Sequence, residues 1–200
     1  VNNVAPTANA GANQTVNEGA VVTLDGSFTD PGSNDTHFLL WQVSADNGQV
    51  IADGTNEDFS FVPNDQGTYT LTFTVTDDDG GFDTDVAVVT VNNVAPALAL
   101  SGAASVNEGA AYTLGLASTD PGTDTISSWT ITWGDGSSET VAGSASSLTH
   151  VYADGLNNYT ISATATDEDG TFASNSLGVE VLNVAPTLAL SGAASVNEGA

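Results

Sequence analysis

Carboxylates cluster in a few short segments of this sequence, beside glycine, proline and asparagine. Two clear examples are Thr29-Asp30-Pro31-Gly32 and Asp77-Asp78-Asp79-Gly80. The chain of 200 residues has 25 Asp and Glu but no Lys or Arg, which gives a formal net charge of -25. Because His37 and His150 are the only basic side chains, the carboxylates must be screened by salt or bridged by bound cations. Carboxylate, amide and carbonyl oxygens suit calcium, which accepts about six to eight of them.

The same composition disfavours other partners and chemistries. Without Lys or Arg the chain has nothing to neutralise phosphates, so we expect neither nucleic acid nor anionic membrane surfaces as direct partners. No apolar run approaches the roughly 18 residues of a spanning helix, so we expect no membrane insertion in this segment. Because the chain has no Cys and only two isolated His, it lacks the ligands that zinc and copper prefer. No nucleophile elbow, zinc-protease motif or phosphate-binding loop occurs, and we predict that the segment is not an enzyme.

A repeat with a period of 90 residues organises the chain. The segment Val-Asn-Asn-Val-Ala-Pro stands at 1–6 and again at 91–96, and Asn-Glu-Gly-Ala recurs with the same period. Because the sequence opens without Met and stops inside a unit, we interpret it as an internal fragment whose signal and anchor lie elsewhere. The predicted domains are module 1 over residues 1–91, module 2 over 92–181, and the truncated start of a third module over 182–200.

Within each module, apolar and polar residues alternate as they do in β-strands. Over residues 68–76, threonines alternate with large apolar side chains, which predicts a strand with one buried face. About seven short strands in each module predict an all-β fold of tandem immunoglobulin-like β-sandwiches, joined by short Pro-containing linkers. The other predicted strands cover residues 21–25, 38–43, 58–62, 85–91 and 158–166.

Module 2 carries the motifs of a known domain family. Trp129 and Trp133-Gly134-Asp135-Gly136 resemble the central strand and the Gly-Asp-Gly turn of the polycystic kidney disease (PKD) domain. His150-Val151-Tyr152 is similar to that family's His-Thr-Tyr, and the acidic turn 167–170 is similar to its acidic turn. Module 1 resembles the same or a sister family, although residues 44–48 replace the Gly-Asp-Gly turn. The resemblance implies a non-catalytic sandwich of extracellular and cell-surface proteins, repeated in bacterial adhesins or appended to secreted hydrolases.

The sandwich topology predicts that acidic turns of neighbouring modules meet. The B–C and F–G turns of such a domain lie at its N-terminal end, and the A–B and E–F turns lie at its C-terminal end. We therefore expect Asp120, Asp124 and the turn 167–169 of module 2 to face Glu18 and Asp65 of module 1. The arrangement is similar to cadherin-like junctions, in which two domains and their linker share calcium. The predicted calcium ligands are Glu18, Asn92, Asn93, Asp120, Asp167 and Asp169 at the junction, and Asn3, Asp30, Asp77 and Asp79 at the N-terminal end of module 1.

Plain turn chemistry is the alternative to a metal. Asp and Asn bond to their own backbone and tolerate unusual backbone angles, so acidic turns do not require an ion. The sequence has no EF-hand loop spacing that would decide the question.

Aromatic residues leave a second function open. Trp129 and Trp133 share one strand face and form either a core anchor or an exposed platform on which a sugar stacks. Trp41 aligns with Trp129. His37 is interpreted as a surface turn residue at the start of a strand, and His150 as a structural residue. Two hypotheses follow. One is a calcium-stiffened spacer or adhesion repeat of a large secreted or cell-surface protein, with neighbouring repeats as partners. The other is an accessory module of a secreted hydrolase that binds a polysaccharide or a protein.

Overall fold

The computed structural model describes residues 2–192 and 198–199, which form β-strands joined by turns and extended segments. Residues 193–197 and 200 of the predicted third module, including part of its Asn-Glu-Gly-Ala segment, lie outside the described residues. Module 1 contains β1 (Thr7–Asn9), β2 (Gln14–Asn17), β3 (Val22–Asp25), β4 (Ser27–Thr29), β5 (His37–Ala45), β6 (Asp58–Phe61), β7 (Gly67–Asp77) and β8 (Phe82–Asn92). Module 2 contains β9 (Ala97–Gly102), β10 (Ser105–Asn107), β11 (Ala111–Thr119), β12 (Ser128–Thr132), β13 (Ser138–Ala142), β14 (Ser147–Val151), β15 (Asn157–Thr166), β16 (Thr171–Ala173) and β17 (Leu177–Leu182).

Module 1 is a sandwich built around the alternating strand that the sequence predicts. Strands β2, β8, β7 and β5 form one sheet in that order, and the pairs β1–β4 and β3–β6 cover its inner face. The four apolar residues of β7 are fully buried, whereas its threonines face outward. The prediction of an all-β, immunoglobulin-like fold is therefore confirmed.

Module 2 repeats this architecture with a differently filled core. Strands β14, β11 and β9 form one sheet, and β10, β17, β15, β12 and β13 form the other, with β16 beside β15. In both modules a short strand pairs in parallel with the last one, β2 with β8 and β10 with β17. Trp129 and Trp133 are each 1% exposed within the core, so the core-anchor interpretation is correct and the exposed-platform interpretation is wrong.

Trp41 also belongs to the core, but its predicted alignment with Trp129 is wrong. Trp41 pairs with Phe73 of β7, and the residue 90 positions after Phe73 pairs with Ile131. The counterpart of Trp41 is therefore Ile131. The smaller size of Ile131 is compensated by a neighbouring residue. In module 1 a Cβ on Gly26 would lie 2.7 Å from the Trp41 ring, whereas the counterpart of Gly26 in module 2 is the buried Leu116. The large ring thus needs glycine beside it, and the smaller side chain is accompanied by leucine.

Candidate metal site at the module junction

The A–B turn of module 1 lies against both the linker and module 2. The N–H of Glu18 donates to the carbonyl of Asn92 at 3.1 Å, and the N–H of Val94 donates to Oε1 of Glu18 at 2.7 Å. Gly19 has a φ of 72°, and a Cβ at this position would lie 2.9 Å from the Cβ of Pro121. The backbone freedom of glycine therefore allows the close approach of the two modules.

Side-chain oxygens without a hydrogen-bond donor converge on this junction. Among the residues that the structure describes, every buried side-chain oxygen or nitrogen without a partner belongs to it. These atoms are Oε2 of Glu18, Oδ1 of Asp65, Oε1 of Gln66, Oδ1 of Asn93, Oδ2 of Asp120, both carboxylate oxygens of Asp124 and Oδ2 of Asp167. One oxygen each of Glu18, Asp65 and Asp124 lies within 4.8 Å of the other two. A buried acceptor without a donor costs about 1–3 kcal/mol, and a bound cation would satisfy several of these acceptors at once.

Turn chemistry accounts for one oxygen of each turn aspartate and leaves the other without a partner. Oδ1 of Asp120 accepts the N–H of Gly122 at 2.7 Å, and Oδ1 of Asp167 accepts the N–H of Asp169 at 2.9 Å. Oδ2 of both residues has no donor, and neither oxygen of Asp124 has one. Hydrogen bonding to the backbone therefore explains the shape of the turns, but it gives no partner to Oδ2 of Asp120 or of Asp167.

The same turns at the N-terminal end of module 1 have side-chain donors. Oδ2 of Asp30 is 2.9 Å from Nε2 of His37, and Oδ2 of Asp77 accepts Nδ2 of Asn3 at 3.0 Å. The corresponding aspartates of module 2, Asp120 and Asp167, have no hydrogen-bond donor at Oδ2. Oxygens of Asp30, Asp35 and Asp77 also lie within 4.8 Å of one another. Oδ2 of Asp30 and Oδ2 of Asp77 are thus already hydrogen-bonded, and a calcium site here stays a prediction from sequence.

Burial and mutual repulsion raise the pKa values of two junction carboxylates, Asp124 and Glu18. Burial, together with the charges of Glu18 and Asp120, raises the pKa of Asp124 to about 7. Burial also raises the pKa of Glu18, although the hydrogen bond from Val94 acts in the opposite direction. Glu18 is 2% exposed and Asp167 is 8% exposed. These groups are therefore held together against their charge, and a cation would relieve the repulsion.

The structure brings most of the predicted junction ligands together. Glu18, Asn93, Asp120 and Asp167 each present an unpaired oxygen, and the exposed Asp169 accepts a hydrogen bond from Nε2 of Gln66. Asn92 differs, because its side chain is exposed and its carbonyl bonds to Glu18. At the other end of module 1, Asp79 is exposed and donates its N–H to Asp77.

Three residues absent from the predicted ligand set also contribute oxygens. Asp65 and Asp124 are recognisable in the sequence as carboxylates of facing turns, and both lie in the cluster. Gln66 carries no sequence signal, because an uncharged polar residue is ordinary in a turn. The resulting donor set consists of carboxylate and amide oxygens only, which suits calcium and not zinc.

The two histidines lie away from the junction and have structural contacts. The His150 ring stacks on Trp133 at 4.5 Å, and its Nε2 is 2.7 Å from Oδ2 of Asp135. The hydroxyl of Ser137 donates to the same carboxylate, so the hydroxyl and the imidazole do not form a nucleophile–base pair. His37 begins β5, which agrees with the predicted strand start, but it is not a surface turn residue, because its ring packs against Phe28 at 4.5 Å.

Comparison with known proteins gives the family. The PKD domain profile matches residues 3–91 and residues 93–181. The chain belongs to the PKD domain family. The resemblance predicted from the motifs is thus confirmed, and the matched ranges form a tandem repeat of PKD domains. No curated protein matches the chain.

Solved structures with similar folds come from several kinds of protein. The PKD domain of a peptidase from a Thermoplasmatales archaeon is 27% identical, with 46% of this chain and 99% of that chain covered and a TM-score of 0.40. A Bacteroides ovatus glucan-utilisation protein, solved with a mixed-linkage heptasaccharide, is 17% identical over 90% of this chain and 48% of its own, with a TM-score of 0.37. The immunoglobulin domains of the Down Syndrome cell adhesion molecule are 11% identical over 92% of this chain and 27% of their own, with a TM-score of 0.43. The chain therefore spans less than half the length of the last two.

Family membership sets the general class of the protein. PKD and immunoglobulin-like domains are generally non-catalytic modules, and PKD domains occur in extracellular or surface proteins. Within the described residues, no helix has the length and apolar character needed to cross a membrane. Tandem PKD domains fit an extracellular repeat or a binding module.

Proposed function

We propose that the two PKD modules form a non-catalytic spacer or adhesion repeat of a large secreted or cell-surface protein, and that calcium stiffens the joint between them. The observation that carries the proposal is the set of buried junction oxygens that have no hydrogen-bond donor. In this role the spacer holds a binding domain at a distance from the surface. Neighbouring repeats of the same chain are its immediate partners.

Calcium would act at the joint because its ligands come from three separate parts of the chain. Module 1 supplies Glu18 and Asp65, the linker supplies Asn93, and module 2 supplies Asp124 and Asp167. An ion held by all three parts requires one relative arrangement of the modules. Calcium at about a hundredfold over its dissociation constant adds about 2.7 kcal/mol of stability to the arrangement that binds it.

The alternative hypothesis, a polysaccharide-binding accessory module, was based on exposed tryptophans, and these tryptophans are buried. Trp129 and Trp133 are core residues and offer no exposed ring. Trp41 is equally buried. The tryptophans therefore favour the spacer hypothesis.

A thermal melt of residues 1–200 with calcium or with chelator tests the proposal. We expect millimolar calcium to raise the melting temperature of the wild-type chain. Asp124→Asn should abolish the rise, because both of its unpaired oxygens belong to the site. Asp154→Asn is the matched control, because it removes one charge from an exposed position outside the junction. That variant should respond to calcium as the wild type does.

Magnesium and sodium chloride at matched ionic strength separate binding from screening. If sodium chloride raises the melting temperature as much as calcium does, the acidic groups are merely screened and no calcium site exists. An equal loss of the calcium response in Asp124→Asn and in Asp154→Asn would also count against a site at the junction.

A further inference from the structure

The outer face of the module 1 sheet carries two exposed aromatic rings. The strand register places Phe38 of β5 opposite Thr76 of β7, and Thr76 opposite Phe82 of β8. Phe38 is 58% exposed and Phe82 is 64% exposed. The two residues therefore flank one threonine, and their backbones lie two inter-strand spacings apart, about 9–10 Å.

The rows next to these rings mix apolar and hydrogen-bonding side chains. We call the whole surface the aromatic face. Besides Phe38, Thr76 and Phe82, it consists of Leu40, Thr74 and Thr84, then Gln42, Thr72 and Val86, and then Ser44, Thr70 and Val88. The threonines of β7 separate the apolar side chains of β5 from those of β8. None of these residues is Asp or Glu, although the chain has 25 of them. One carboxylate lies at the edge of the face, where Nε2 of Gln42 donates to Oδ2 of Asp53 at 3.4 Å.

The carboxylates of β8 are turned away from the aromatic face. Asp83 accepts the N–H of Ala8 at 2.9 Å, and Asp85 accepts the N–H of Ala10 at 2.8 Å. An anionic ligand would be repelled by a chain with a net charge of -25, and a cationic one would be drawn to the acidic turns instead. An uncharged ligand is the one that this face favours.

We propose that the aromatic face of module 1 binds an uncharged polysaccharide. A sugar unit offers an apolar C–H surface that packs on an aromatic ring, and hydroxyls that pair with threonine and glutamine side chains. Rings on either side of a threonine row match this mixture. A protein partner would instead require a continuous apolar centre, which the threonine row interrupts.

Module 2 lacks the rings at the corresponding positions and provides a natural comparison. The equivalent row consists of Ser128, Thr166 and Thr171. Phe172 comes one residue later and pairs with the fully buried Ala165, so it lies on the core side of the sheet. A binding surface made by the two rings is therefore specific to module 1.

Native electrophoresis in gels that contain a soluble polysaccharide tests this proposal with the whole chain. We use mixed-linkage β-glucan, galactomannan and dextran as uncharged probes, and polygalacturonate as an anionic one. The wild-type chain should be retarded in at least one uncharged gel and not by polygalacturonate. The double variant Phe38→Ser and Phe82→Thr, which installs the residues of module 2, should lose the retardation and keep the wild-type melting temperature. Leu156→Ser, at a position 83% exposed in module 2, is the control and should be retarded like the wild type.

Several results would overturn the proposal. The proposal fails if none of the uncharged gels retards the wild-type chain, or if the double variant remains retarded. Retardation by polygalacturonate alone would mean that the ligand is recognised by charge. A concentration-dependent dimer that the double variant abolishes, without retardation by a polysaccharide, would make the face an interface between copies of the chain.

Discussion

Asp135 illustrates how one carboxylate can organise a turn in a chain without Lys or Arg. Its oxygens accept the N–H of Ser137 at 2.9 Å and the hydroxyl of the same residue, and its Oδ2 lies 2.7 Å from Nε2 of His150. Burial opposes ionisation, but these hydrogen bonds outweigh it and hold the pKa of Asp135 at about 2. The ionised carboxylate therefore stabilises the folded state at neutral pH.

Asp135→Asn should lower the stability of module 2 by about 1–2 kcal/mol at pH 7, because hydrogen bonds to a charged acceptor are lost. The pKa of Asp135 is lower in the folded than in the unfolded state. Its contribution is therefore present above about pH 4 and is lost as the pH falls toward 2. Chemical denaturation of both proteins between pH 7 and pH 2 should show the difference shrinking over the last two pH units. A difference that stays constant down to pH 2 would mean that the variant acts through packing.

Asp124 should behave in the opposite way, because no donor contacts either of its oxygens. Its ionised form is held near Glu18 and Asp120, and in the absence of calcium this repulsion destabilises the junction. In chelator at pH 8, we expect Asp124→Asn to melt at a higher temperature than the wild type. The exposed Asp154→Asn should have a much smaller effect. A lower melting temperature for Asp124→Asn in chelator would contradict the repulsion that the structure indicates.

At the scale of strands, alternation in the sequence is sufficient to place β7 and β15, but it does not determine cross-strand register. Phe82 and Phe172 stand 90 residues apart, yet one pairs opposite a threonine on the outer face and the other opposite Ala165 on the inner face. The misalignment of Trp41 has a different cause, because the repeat of 90 residues itself leads to Ile131, which lies two residues from Trp129 on the same face. Register depends on contacts between distant strands, and a shift of one residue reverses the face on which a side chain lies.

The turns show the same division between what sequence can and cannot predict. Topology places Glu18 at one junction and Glu108, its counterpart, at the end of module 2. Oε1 of Glu108 accepts the N–H of Val184 at 2.8 Å, as Glu18 does with Val94, but Oε2 of Glu108 also accepts the N–H of Gly155. Gly155 corresponds to Asp65. The C-terminal end of module 2 therefore has a backbone N–H donor where the C-terminal end of module 1 has a carboxylate. Only the three-dimensional structure shows which carboxylates keep a free oxygen.

Substitution of the two glutamates should therefore have different effects. Glu108→Gln should lower the stability of module 2 by about 1–2 kcal/mol, equally with calcium and with chelator, because it loses a hydrogen bond to a backbone N–H. Glu18→Gln should reduce mainly the stabilisation by calcium, since its Oε2 has no donor. Differential scanning calorimetry of both variants with calcium and with chelator measures this. A calcium-dependent loss in Glu108→Gln would place an ion at the second C-terminal end, contrary to expectation.

At the scale of the whole molecule, the joint between the modules combines a short linker with a surface of like charges. The linker contains Pro96, which limits its bending, and Gln66 bonds directly to Asp169 of the next module. Without a cation, the carboxylates of Glu18, Asp65 and Asp124 repel one another within 4.8 Å. We therefore expect calcium to change the range of inter-module orientations more than the fold of either module.

The absence of native cysteine makes this expectation directly measurable, because spin labels attach only to introduced thiols. Val50→Cys in module 1, at a position 94% exposed, and Ser138→Cys on exposed β13 in module 2 provide the label pair. Pulsed electron spin resonance should give a narrow distance distribution with calcium and a broad one with chelator. Adding Asp124→Asn to the labelled chain should leave the distribution broad in both conditions, whereas Asp154→Asn should leave the calcium effect intact. Equally narrow distributions with and without calcium would show that the linker and the direct contacts are sufficient to fix the joint.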